Sequence, residues 1–185
     1  MNKTRRIALY IYLVLAGIGL QFELGSMAEK EVTLEAGRDL ILNLAVLAAF
    51  FLPFYFLIKK LAKKLSVEMI VLGTALFGGA FIAGWLSFAG NSLIDIINSN
   101  FIKDPAVFNA WTNALTAPFA EEFFKSLTAF AALYILGRKD IQSVLIAGLS
   151  SGFGFQVIED IAYVSRVTFG GQYSGSLEAV SYTHL

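Results

Sequence analysis

The stretch "APFAEEFFKSLTAFAALYIL", residues 117–136, is apolar over most of its length, yet it carries Glu121, Glu122 and Lys125. A helix needs about 20 apolar residues to cross a bilayer. An ionised residue at the centre of such a helix costs about 2.5–3.5 kcal/mol, and each Leu, Ile, Phe or Val returns about 0.3–0.6 kcal/mol. The three charges therefore cost roughly 8 kcal/mol against roughly 4 recovered. Alone the segment is marginal. It needs partner helices, water or protonated carboxyls. Its helical faces are already divided. Pro118, Glu121, Glu122, Lys125 and Ala129 follow i, i+3, i+4, i+7 spacing and share a stripe. Phe119, Phe123 and Phe130 lie off it and suit lipid or other helices. Lys125, at i+4 from Glu121 and i+3 from Glu122, is placed to hold one carboxylate ionised.

The rest of the chain supplies the partners. Hydrophobic residues make up 57% of the 185 and charged residues 15%, with a mean hydropathy of +0.68. A soluble domain carries about 25% charged residues, so the composition points to an all-α polytopic membrane protein. About five spans are expected, over residues 7–24, 40–58 (with Pro53 as a kink), 67–89, 114–136 and 141–167. The loops agree. Lys3, Arg5 and Arg6 precede the first span, four lysines (Lys59, Lys60, Lys63, Lys64) follow the second, and Arg138 and Lys139 follow the fourth. The alternate loops, 25–39 and 90–113, are acidic or poor in basic residues. This alternation puts the N-terminus in the cytoplasm. A cleaved signal peptide is the rival reading of the first span, with small residues at Ser26 and Ala28. Residues 91–109 are expected to form an external interfacial helix with a turn at Asp104–Pro105. The glycines of the third span (Gly73, Gly78, Gly79, Gly84) are expected to serve helix packing.

Composition also excludes chemistry. Zero net charge argues against nucleic acid as a partner. There is no cysteine, so neither disulfides nor thiolate metal sites are available. The single histidine, His184, lies next to the last residue, which removes Ser–His and Cys–His nucleophilic pairs.

The fifth span repeats the anomaly of the fourth. "GFGFQVIEDIAYV", residues 152–164, carries Gln156, Glu159 and Asp160. Folded as a hairpin about residues 137–142, antiparallel helices of equal rise bring Glu121/Glu122 and Glu159/Asp160 to nearly one depth, in the outer half of the bilayer. Gly148, Gly152, Gln156, Glu159, Asp160 and Tyr163 share a stripe, and its glycines are expected to admit a neighbour. Four carboxylates at one depth cannot all ionise cheaply. A mixture of charged and protonated carboxyls results, which general acid–base chemistry uses. From the pattern alone, hydrolysis, proton or cation transport, and ion pairing in a non-catalytic membrane scaffold all remain open. The polar stripe turns to Ala, Leu and Gly below Lys125 and Gln156, which counts against a transport path.

At these residues the chain resembles the PrsW family of intramembrane proteases, part of a wider group with prenyl-protein endopeptidases and bacteriocin-processing proteins. The family's Glu-Glu-x-x-Lys motif stands here as Glu121 to Lys125, led by Ala117–Pro118. Its Phe-x-x-x-Glu-Asn motif stands as Phe155 to Asp160, with glycines before and Tyr163 after; Asp160 replaces the usual Asn. The resemblance implies hydrolysis of a peptide bond in a membrane-bound protein such as an anti-sigma factor, in a bacterial plasma membrane. It implies that Glu121 and Glu122 activate water and that Glu159 assists or binds a metal, with Lys125, Phe155, Asp160 and Tyr163 in support. A divalent metal such as zinc would be the cofactor if one is used. The family pattern continues into further helices bearing histidines, which this chain does not reach, so a C-terminally truncated fragment, inactive alone, is expected. Residues 1–179 then form one membrane domain, and 180–185, with the ending "VSYTHL", a non-native tail.

Overall fold

A computed structural model describes residues 1–28 and 34–170. His184, the 180–185 tail and part of the acidic loop after the first span lie outside them. The described chain is helical throughout: α1 Lys3–Ala28, α2 Leu34–Lys64, α3 Met69–Gly78, a π-helical turn Gly79–Ala83, α4 Gly84–Phe101, α5 Pro105–Leu136 and α6 Ile141–Gly170. Among the described residues, four stretches are long and apolar enough to cross a membrane: Lys3–Gly25, Gly37–Lys64, Met69–Phe101 and Ile141–Thr168. The expected fourth span, α5, is long enough at 32 residues but its three charges leave it outside that apolar set.

Two expectations are corrected. Residues 91–101 are no separate interfacial helix; they continue α4, which runs on from α3 through the π turn. Polar residues in this stretch suggested a surface segment, but Asn91 at its start faces the cavity described below. The chain breaks only at 102–104. There Asp104 caps α5, its carboxylate accepting from the backbone N–H of Ala106 at 2.8 Å and of Val107 at 3.3 Å, and Pro105 takes the first helical position. α5 thus begins at 105 rather than 114. α2 runs unbroken through Pro53.

The turns are fixed locally. Gly137 adopts φ 73° and ends α5. There the backbone N–H of Arg138 bonds the Leu133 carbonyl at 3.0 Å, and glycine bears the left-handed conformation without strain. Asp140 then caps α6 by accepting from the Ser143 backbone N–H at 2.8 Å. This bond, with help from the Ser143 hydroxyl, holds the Asp140 carboxyl below the usual range. Arg138 forms a salt bridge with Glu68, joining the α5–α6 turn to the turn before α3.

Inside, α6 packs against α2, α3, the π turn and α5. One apolar cluster joins Val71 and Leu72 of α3 to Ala132 and Leu133 of α5 and Ile146 of α6. A second joins Tyr12 and Ala16 of α1 to Ile82 and Ile135. A third packs Leu47 and Phe51 of α2 on Val164. The Tyr12 hydroxyl donates to the Thr74 carbonyl at 2.6 Å, and the Trp85 indole to the Leu15 carbonyl at 3.2 Å, so α1 is bonded into the bundle. The glycines that admit neighbours differ in part from those expected. A Cβ on Gly79 would lie 1.9 Å from the Ser151 carbonyl oxygen, and one on Gly154 2.1 Å from that of Leu76. This reciprocal pair lets α6 cross the α3–π segment backbone to backbone. Gly73, Gly148 and Gly152 have open space around them, because the buried face of α6 passes through Ser150, Ser151 and Gly154 instead.

Candidate active site

Glu121 lies about 22 Å along α5 from its end at Leu136, and Glu159 about 27 Å along α6 from its start at Ile141, at ~1.5 Å per residue. The two helices are antiparallel neighbours, so both carboxylates stand well away from the basic turns. Both line one cavity of about 290 Å³.

On the α5 side, the Lys125 ammonium lies 3.3 Å from Glu121 Oε2 and 2.9 Å from Glu122 Oε1. It also sits 4.1 Å from the centroid of the Phe155 ring, which is buried and belongs to α6. Lys125 is thus held by two carboxylates and an aromatic face. Directly beneath, the Ser151 hydroxyl donates to the Lys125 carbonyl at 2.8 Å, and Thr128 Oγ1 lies 2.8 Å from Ser151 Oγ. These buried hydroxyls fix the register of α5 against α6 at the level of the charges.

The structure separates the four acidic residues that the sequence grouped. Glu121 and Glu159 both face the cavity. Glu122 does not line it: its side chain is 71% exposed on the outer face of α5. Asp160 is turned into the protein at 1% exposure, where Gln156 Nε2 donates to its Oδ1 at 2.8 Å. Phe155 and Tyr163 line the cavity beside Glu159. Phe119, Phe123 and Phe130 point outward.

Sequence reasoning missed the remaining polar wall. α1 contributes Glu23, α4 contributes Ser87 and Asn91, and α6 contributes Arg166. Glu23 is buried and lies within electrostatic reach of Arg166. Arg166 donates from Nε to the Ala162 carbonyl at 3.2 Å and stacks 4.8 Å over the Tyr163 ring. Glu23 left a signal: it is the single charge in the apolar run 7–24, and an ionisable residue within a span is a site candidate by default. Ser87 and Asn91 left a weaker one. With Gly84 they follow i, i+3, i+7 spacing, on the face turned to the cavity.

Chemically, the cavity is lined by three carboxylates, Glu23, Glu121 and Glu159, with Arg166 on its wall and Lys125 behind Glu121. Among the described residues no three His, Cys, Asp or Glu side chains are placed to hold a metal ion. These residues therefore do not make a metal centre on their own. Below the charges the interior becomes apolar, with Ala129, Ala132, Leu133, Ile146 and Ala147 buried together.

Comparison with known proteins identifies a family. A family model described as PrsW family intramembrane metalloprotease matches residues 66–183, which takes in α3 to α6 and the whole α5–α6 hairpin. No curated protein and no solved structure matches the chain.

Proposed function

Because this chain belongs to the PrsW family of intramembrane metalloproteases, a multi-pass membrane protein, we propose that it hydrolyses a peptide bond of a membrane-associated protein with water activated by Glu121. The observation that carries this reading is the shared cavity of Glu121 and Glu159, with Lys125 behind Glu121. The ammonium pairs with Glu121, whose carboxylate takes a proton from water as the water oxygen attacks the scissile carbonyl carbon. Glu159, on the facing wall, is placed to pass a proton to the leaving nitrogen as the C–N bond breaks. A new carboxyl group and a free amine result. Glu122 supports indirectly, by sharing Lys125. Asp160, bonded to Gln156, braces the helix that presents Glu159.

The apolar interior beneath the site supports hydrolysis over transport, since a carrier needs its polar path to continue to the other surface. The bacterial plasma membrane and an anti-sigma-factor-like substrate follow from the family resemblance. Reconstitution of the full-length protein with a membrane-anchored reporter tests the reading. Glu121→Gln and Glu159→Gln should each lower the cleavage rate about 100-fold or more, and Glu122→Gln less than about tenfold. Undiminished cleavage by both Glu121→Gln and Glu159→Gln would overturn it.

A further inference from the structure

We propose that Ser87 and Asn91 of α4 form a subsite that binds the backbone of a locally unwound transmembrane polypeptide, across the cavity from Glu121 and Glu159. The inference rests on the proteolytic reading of that cavity and adds the way the substrate is held.

The first observation is an unused hydroxyl. Ser87 is 2% exposed, lines the cavity, and its Oγ has no hydrogen-bond partner among the described residues. A serine within a helix ordinarily bonds a carbonyl one turn back. Ser92 and Ser165 do so here, to Phe88 and Ile161 at 3.0 and 2.7 Å. Ser87 does not. The second observation is Asn91, one turn further along, whose buried Oδ1 is likewise without a partner and which lines the same cavity. A buried polar atom left unsatisfied is costly, so two of them on one wall of a cavity mark the place of an absent partner.

The chemistry of that partner follows. A peptide bond inside a transmembrane helix has its N–H and C=O bonded within the helix, and the backbone shields the carbonyl from attack. Hydrolysis needs the segment unwound. In a low-dielectric site, each N–H and C=O released by unwinding requires a new partner. A serine hydroxyl can donate to a carbonyl and an asparagine oxygen can accept from an N–H. Ser87 and Asn91 are four residues apart on one helix, about 6 Å of rise. Two residues of extended chain cover about 6.6 Å. The two side chains thus match the repeat of an unwound backbone laid along α4. Gly84, one turn before Ser87, leaves room for Glu23: a Cβ there would meet Glu23 Oε1 at 3.0 Å.

The test uses two probes in lipid nanodiscs holding the full-length protein with Glu121→Gln, which prevents turnover. One is a labelled Leu/Ala transmembrane peptide with a central Gly–Pro pair that interrupts its helix; the other is uninterrupted. Binding is read by energy transfer. The parent should bind the interrupted probe about tenfold tighter. Ser87→Ala and Asn91→Leu should each cut that preference to about threefold or less. Ser87→Ala should also raise thermal stability, a combination that a merely structural serine would not give. If Asn91→Leu fails to fold, Asn91→Ala gives the same reading. No preference in the parent, or an undiminished preference in both variants, overturns the subsite. Cleavage of the interrupted probe by protein with native Glu121 separates the two claims. Lost preference without any cleavage leaves the subsite standing and removes the proteolytic reading, whereas Glu121-dependent cleavage with preference intact removes the subsite alone.

Discussion

Lys125 touches Glu121, Glu122 and the Phe155 ring at once. Its removal leaves a carboxylate in a poorly hydrated site with no counter-charge. Lys125→Met should lower cleavage by about 100-fold or more, because Glu121 then loses its ion-pair partner. Because the lysine is not fully buried, the loss of stability should be smaller than for a sealed pair, about 1–3 kcal/mol. Lys125→Arg keeps the charge and should recover part of the rate. A Lys125→Met protein cleaving at the native rate would show that Glu121 needs no cation. Ser87 behaves in the opposite sense. Replacing its unsatisfied hydroxyl by a methyl group removes a desolvation penalty, so Ser87→Ala should stabilise the protein by about 1 kcal/mol in a detergent melt. The Lys125 contacts with Glu121 and Glu122 were legible in sequence because they are local: i+3 and i+4 on one helix fix them. That Glu122 turns outward and Asp160 inward was not legible. Adjacent residues on a helix point about 100° apart, and only the neighbouring helices decide which of two faces the cavity.

Among the elements, the crossing of α6 over the α3–π segment is where side-chain volume is least tolerated. Gly79 and Gly154 approach carbonyl oxygens of the opposing helix, so even a methyl group must push the helices apart. Gly154→Ala should cost about 1–3 kcal/mol. Gly148→Ala, six residues earlier with open space around it, should be neutral or slightly stabilising. Equal melting temperatures for the two variants would contradict the backbone-to-backbone crossing. The start of α6 offers a pH-dependent check. The carboxyl of Asp140 is held below its ordinary range by the Ser143 backbone N–H and hydroxyl. A carboxyl with a depressed folded-state pKa stabilises above its unfolded value, and this stabilisation fades as pH falls through the folded one. Asp140→Ala should therefore lower the melting temperature at neutral pH, with the gap to the native protein closing only below about pH 4. Sequence reasoning found the α5–α6 hairpin and the meeting of Glu121 with Glu159 at one cavity, because a turn position and a constant rise suffice. It did not find which glycines meet a neighbour. Gly148, Gly152 and Gly154 all precede the acidic pair, and the two-residue step from Gly152 to Gly154 separates open space from contact.

Across the whole molecule, the basic turns and the cavity stand at opposite ends of α5 and α6. Lys63, Lys64, Arg138 and Lys139 flank turns that the Arg138–Glu68 bridge joins, whereas Glu121 and Glu159 lie more than 20 Å along their helices from the α5–α6 turn. Charge bias in the loops was readable without coordinates because it depends on composition alone. The contribution of α1 and α4 to the cavity was not, since Glu23, Ser87 and Asn91 meet α5 and α6 only through long-range packing. If the basic turns face the cytoplasm, the cavity opens toward the far side, where a membrane-bound extracytoplasmic substrate would be met. The absence of cysteine makes this testable one position at a time. Lys63→Cys and Lys139→Cys should resist a membrane-impermeant maleimide in intact cells and react after the cells are opened. Lys103→Cys, in the break between α4 and α5, should react in intact cells. The reverse pattern would turn the cavity toward the cytoplasm and with it the side from which substrate arrives. Labelling of Lys103→Cys and Lys139→Cys on the same side would mean that α5, with its three charges, does not cross the bilayer.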